Sequence, residues 1–138
     1  MKSKHYTDKR KAKASGRVAI VGAGPGRFDL LTLRAIELLR RADIVFHDRL
    51  IPAAALQEAA PKAELVYVGK KASYHTLPQD EITRRLIEEA KTGKFVVRLK
   101  GGDPFIFGRG GEECEALAKA GILFEVVPGI SSAFAAPL

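Results

Sequence analysis

The chain is poor in residues that staple a fold or ligate a metal. Its 138 residues include one cysteine, one methionine, no tryptophan and three histidines. A single cysteine, Cys114, excludes an internal disulfide and fits a reducing, cytoplasmic setting. On an apolar helix face it reads as a small core residue. His5, His47 and His75 are scattered without ligand spacing, so no metal site is expected. No apolar run approaches the roughly 18 residues of a membrane span. The basic start is followed only by the short run Val18–Val21, less than the roughly 7–15 residues of a signal-peptide core, so no membrane partner is expected. Low-complexity tracts, internal repeats, a Ser-His-Asp order and a nucleophile elbow are all lacking.

What remains is globular, at 46% hydrophobic and 28% charged residues. A chain of this length is one domain, able to bury about two-thirds of its unfolded surface. The formal charge of +7 is not spread over the fold. Residues 1–17 hold seven cations against Asp8 alone, a net of +6, and the rest carries 16 cations and 15 anions. A nucleic-acid tether would want aromatics between those charges, and only Tyr6 is there. Residues 1–16 therefore read as a solvated, disordered tail before a domain at 17–138, with no nucleic-acid partner.

Five short β-like runs each end in a cluster of glycines, prolines or charges. Val18–Val21 meets Gly22-Ala23-Gly24-Pro25-Gly26, Ile44–Phe46 meets His47-Asp48-Arg49, and Leu65–Val68 meets Gly69-Lys70-Lys71. Phe95–Leu99 meets Lys100-Gly101-Gly102-Asp103-Pro104, and Leu123–Val127 meets Pro128-Gly129-Ile130-Ser131-Ser132. Helical stretches alternate with them, the pattern of βαβ units. Leu31, Ala35, Leu38, Leu39 and Ala42 make one apolar stripe, and Ile82, Leu86 and Ala90 another. The second helix is expected to open with a capping box at Thr76-Leu77-Pro78-Gln79 and to close at Gly93. A shorter helix follows Pro52. A further one, about 111–120, is expected to turn Cys114, Leu117, Ala118 and Gly121 inward. The fold class is α/β, a mostly parallel five-stranded sheet flanked by helices. Ligands of such sheets bind outside the carboxyl ends of the strands, where all five clusters would gather.

The motifs themselves leave alternatives open. Gly22-Ala23-Gly24-Pro25-Gly26 invites a nicotinamide-dinucleotide reading, with Asp48 for a ribose. Arg27 stands where the third glycine should be, and Pro25 removes an N–H that a pyrophosphate would use. A plain strand-to-helix turn is as good an account. Gly101-Gly102-Asp103 lets backbone approach a ligand closely, and it continues into Phe105-Ile106-Phe107-Gly108-Arg109, better suited to a pocket wall than to a solvated turn. Asp48 and Lys70 at one rim read as an acid/base pair or a salt bridge, and the residues alone favour the salt bridge. Arg49 and Arg109 suit anionic substrate groups.

Residues 21–26, His-Asp-Arg-Leu at 47–50, Tyr-Val-Gly-Lys-Lys at 67–71, the stretch 98–113 and Val-Val-Pro-Gly-Ile-Ser-Ser-Ala at 126–133 resemble the tetrapyrrole methylases. Among these they are most similar to the uroporphyrinogen-III C-methyltransferases of sirohaem and cobalamin synthesis. The resemblance implies methyl transfer from S-adenosylmethionine to pyrrole carbons of uroporphyrinogen III, giving precorrin-2. It implies Asp48 as proton acceptor and Lys70 as proton donor. The methyl donor would be held around Pro25, Gly101, Gly102, Asp103, Ile106, Ser131 and Ser132. Leu50 and Phe107 would line the crevice; Arg49 and Arg109, chosen for their charge at the rim and not from the resemblance, are the candidates for the substrate carboxylates. Family members are homodimers of two-lobed chains with the site between the lobes. This chain matches the N-terminal lobe, so it is expected to bind and catalyse weakly by itself. A nicotinamide-binding module and a non-catalytic lobe needing a partner are the alternatives.

Overall fold

A computed structural model describes residues 15–48, 51–69 and 77–131. Strands and helices alternate along it: β1 (Arg17–Gly22), α1 (Leu33–Arg41), β2 (Ile44–His47), α2 (Ala53–Ala59) and β3 (Glu64–Tyr67), followed by α3 (Gln79–Lys91), β4 (Phe95–Lys100), α4 (Gly110–Lys119) and β5 (Leu123–Val127). Among the described residues the five strands form one sheet in the order β3-β2-β4-β1-β5. Every pairing is parallel, with Arg17 opposite both Phe95 and Leu123, and Ile44 opposite both Glu64 and Val96. The mostly parallel expectation is thus met in full, and all five carboxyl ends lie on one rim.

A parallel sheet covered on both faces needs strands apolar on both sides. β1 meets this with five of its six residues buried. Ala19, Val21, Val45, Val97 and Leu99 face α1 and α2, packing on Ala35, Leu38, Leu39, Leu56 and Ala59. Val18, Ile20, Ile44, Phe46 and Val96 face α3 and α4, packing on Ile82, Leu86, Ala90 and Leu117. The two stripes read from the sequence are therefore the inward faces of α1 and α3.

α1 starts where Thr32 Oγ1 accepts a hydrogen bond from the Ala35 N–H at 3.1 Å. Thr32→Ala should lower stability by about 1 kcal/mol, read as a fall in the urea midpoint at unchanged slope. Thr76, the expected cap of α3, lies outside the described residues; Pro78 stands at the N-cap position, and the Gln79 side chain turns to Glu113 and Thr83. The end of α3 at Gly93 is as expected, in the left-handed region at φ 96°. α4 begins at Gly110, and its buried face is Gly110, Glu113 and Leu117. Ala118 and Gly121 are exposed and Cys114 is half-buried, so the inward face turns toward Glu113 and away from Ala118 and Gly121.

Candidate functional site

At the rim, loops from three adjacent strands meet backbone to backbone. The Ala23 N–H donates to the Lys100 carbonyl at 2.6 Å, and Gly24 and Gly102 exchange bonds of 3.2 and 2.9 Å. Gly24 and Gly102 take φ of 67° and 63°, conformations that cost glycine little. A Cβ on Gly22 would lie 2.5 Å from the Gly129 nitrogen, and one on Gly129 would lie 2.2 Å from the Gly102 oxygen. Asp103 fastens the assembly. Its Oδ1 accepts the Phe105 N–H at 2.9 Å and its Oδ2 the Gly129 N–H at 3.2 Å. Pro25 and Gly101 sit half-buried on this rim, and Ser131 is buried.

The first loop does not make a dinucleotide cradle. Such a site puts a helix N-terminus directly behind the glycines. Here a 3₁₀ turn (Phe28–Leu30) intervenes and α1 starts only at Leu33. Arg27 is exposed and pairs with Asp29 at 2.6 Å.

Beside the rim lies a cleft of about 700 Å³. Its walls are Asp48 from the end of β2, Tyr67, Val68 and Gly69 from the end of β3, and Leu77, Pro78, Gln79 and Ile82 at the start of α3. Arg98, Lys100 and Gly101 form its β4 side, and Ile106, Phe107, Gly108 and Arg109 close it. That last loop winds tightly around the Pro104 carbonyl, which accepts the Gly110 N–H at 3.0 Å. The winding forces Phe107 and Arg109 to φ of 58° and 52°. Left-handed backbone in residues with a Cβ is strain of the kind that collects at functional sites. Phe107 is also 100% exposed, and Phe105 and Ile106 are exposed beside it.

Below the cleft four charges are drawn together. Arg98 and Lys100 alternate along β4, so both project toward α3 and α4, and each is 4% exposed. Glu113, at 0% exposed, meets them from the first turn of α4. Its Oε1 accepts from Arg98 Nε at 3.3 Å and Gln79 Nε2 at 2.9 Å, and its Oε2 from Lys100 Nζ at 3.0 Å. Arg98 Nη1 extends to Asp48 Oδ1 at 3.3 Å. Burial pushes the Lys100 ammonium below the ordinary lysine range, and the Glu113 carboxylate opposes that. Burial, with Glu113 next to it, raises the Cys114 thiol, which is therefore a poor nucleophile.

Asp48, Gly101, Ile106, Phe107 and Arg109 thus share one cleft, and Pro25, Gly102, Asp103 and Ser131 adjoin it on the same rim. Arg49, Leu50, Lys70 and Ser132 lie outside the described residues. The sequence reading passed over Arg98, Lys100, Glu113 and Gln79. The available signal was two charges at alternate positions in a strand otherwise apolar on both faces. Among the described residues no group of three or more His, Cys, Asp or Glu could hold a metal, and no helix is long and apolar enough to cross a membrane.

The profile of the tetrapyrrole (corrin/porphyrin) methylases matches residues 17–138. A siroheme synthase of Pseudomonas fluorescens (strain Pf0-1) is 59% identical over 119 residues, covering 86% of this chain and 26% of that protein. The uroporphyrinogen-III C-methyltransferase of Bacillus subtilis (strain 168) is 54% identical over 121 residues, covering 88% and 47%. The crystal structure of the Thermus thermophilus uroporphyrin-III C-methyltransferase with S-adenosyl homocysteine superposes with a TM-score of 0.75 at 52% identity, covering 89% and 52%. The chain spans from about a quarter to about half of the length of these proteins.

Proposed function

The chain belongs to the tetrapyrrole (corrin/porphyrin) methylases, and from that membership we propose that its rim and cleft serve S-adenosylmethionine-dependent C-methylation of uroporphyrinogen III to precorrin-2, in sirohaem or cobalamin synthesis. The observation that carries this reading is the side-by-side placing of a glycine-rich backbone rim and a roomy cleft that Asp48 faces. The volume of about 700 Å³ lies within the roughly 300–1,000 Å³ of small-molecule sites.

The rim fits the donor because its glycines offer bare backbone, and Asp103 holds the β4 and β5 loops in one arrangement. Pro25, Gly101, Gly102, Asp103, Ile106 and Ser131 would hold it, with Ser132 added from the resemblance. When bound, S-adenosylmethionine supplies an electrophilic methyl group. Alkylation at a pyrrole carbon releases a proton, and the Asp48 carboxylate, which lines the cleft, would accept it. Phe107 offers a flat apolar face to a macrocycle, and the Arg109 guanidinium at the cleft wall pairs with its carboxylates. Lys70 as proton donor, with Arg49 and Leu50 as further substrate contacts, completes the proposal. A homodimer and a cytoplasmic setting belong to the same reading; sedimentation equilibrium and cell fractionation test them.

S-adenosylhomocysteine should raise the melting temperature of the chain, and NADH should leave it unchanged. A hundredfold excess over Kd gives about 2.7 kcal/mol of stabilisation. Asp48→Asn should keep that response and lower the rate of methyl transfer by roughly a hundredfold or more. Stabilisation by NADH alone would reverse the assignment in favour of a nicotinamide-binding module.

A further inference from the structure

We propose that Glu113 holds Arg98 back from Asp48, so that one oxygen of the Asp48 carboxylate stays free to take a proton. The inference rests on the reading of Asp48 as proton acceptor. A guanidinium facing a lone carboxylate docks through two parallel N–H bonds. Arg98 does not do so here. Its Nε goes to Glu113 at 3.3 Å, while its Nη1 is shared between Asp48 at 3.3 Å and the Leu99 carbonyl at 3.1 Å. Asp48 receives one long contact on Oδ1, and among the described residues Oδ2 receives no hydrogen bond.

Glu113 can do this because both of its oxygens are held. Lys100 occupies its Oε2, Gln79 shares its Oε1, and the side chain is fully buried. The first turn of a helix also favours a carboxylate there. Two cations and two carboxylates balance across the cluster. With Glu113 neutralised, Asp48 is the only anion left to Arg98, and the guanidinium closes on it. Among the described residues the charged and titratable groups around Asp48 are Arg98 and Lys100 of β4, Arg109 of the following loop, Tyr67 of β3 and His47 of its own strand. α4 reaches it through Glu113, and α3 brings only the uncharged Gln79 and Ile82 to the cleft.

The test is a carbon-13 carboxyl titration of the chain by NMR, with the Asp48 signal assigned by Asp48→Asn. Glu113→Gln should lower the midpoint of the Asp48 signal by about one pH unit, because a closer guanidinium favours the carboxylate. Arg98→Met should raise it, and adding Glu113→Gln to Arg98→Met should change it by less than about 0.3 unit. An equal displacement with and without Arg98 would mean that Glu113 acts through space, and the proposal fails; so it does if the single variant shows no displacement. If Glu113→Gln does not fold, Lys100→Met/Glu113→Gln keeps the buried charge balanced and should show the same fall. The titration needs no turnover. If Asp48→Asn retained full methyl transfer while the titrations behaved as stated, the proton-acceptor reading would fall and the hold of Glu113 on Arg98 would stand.

Discussion

Replacing Glu113 by leucine should lower the free energy of unfolding by about 3–5 kcal/mol, a large share of the roughly 5–15 kcal/mol available to a domain. The carboxylate is fully buried and faces two cations that are themselves almost wholly buried. Its loss leaves Lys100 without its hydrogen-bond partner and Arg98 with Asp48 and a carbonyl alone among the described residues. The loss should depend on pH in a defined direction. Burial already holds Lys100 below its ordinary range, and without Glu113 only the weaker pull of Asp48 opposes it. The unfolded chain protonates this lysine normally, so between the two values the unfolded state binds more protons. Stability of the variant should therefore climb as pH rises toward about 10, where an unfolded lysine titrates, and more steeply than in the parent. Arg98→Met/Lys100→Met/Glu113→Leu, which removes the charges together, should return to within about 1 kcal/mol of the parent. A leucine variant that unfolds at the parental urea concentration would show that the cluster is solvated after all.

Gly129→Ala should be nearly as damaging, by a different route. Its Cβ would sit 2.2 Å from the Gly102 oxygen and 2.8 Å from Gly22, all backbone atoms that no rotamer change can remove. Overpacking of this kind costs typically about 1–3 kcal/mol, and the upper end is expected because three loops must separate. Separation breaks the bond from the Gly129 N–H to Asp103, so the variant should also lose its thermal response to S-adenosylhomocysteine. Gly111→Ala is the control. It lies in α4 with nothing within 4 Å of the added carbon, and should gain roughly 0.5–1 kcal/mol. Equal melting temperatures for the two variants would refute the close contact.

The strands were legible because a parallel sheet wants uninterrupted apolar runs and its loops want glycine, proline and charge. Both signals are local, and both recur five times. The amphipathic stripes of α1 and α3 were legible for the same reason, since Ala35, Leu38, Ile82 and Leu86 carry the helical period by themselves. α4 was not, because its buried face includes Glu113, and helical periodicity places a glutamate outside by default. What turns it inward is the demand of Arg98 and Lys100 on a strand distant in sequence. The same demand draws the Gln79 side chain, at the start of α3, to Glu113, a contact across 34 residues that no local pattern announces. In the site, the glycines and Asp48 could be read from the rim rule, whereas the left-handed Phe107 and Arg109 follow from the packing around Pro104, which no single-residue preference announces.

The strand order has a consequence for synthesis. Among the described strands β1 pairs with β4 and β5, so a strand that is made before both of its neighbours occupies a central place in the sheet and waits for them until Phe95 and the residues after it emerge. At about 5–20 residues per second the wait lasts several seconds. Throughout it Val18, Ala19, Ile20 and Val21, a sticky apolar run, must be shielded by chaperones or by transient collapse on α1.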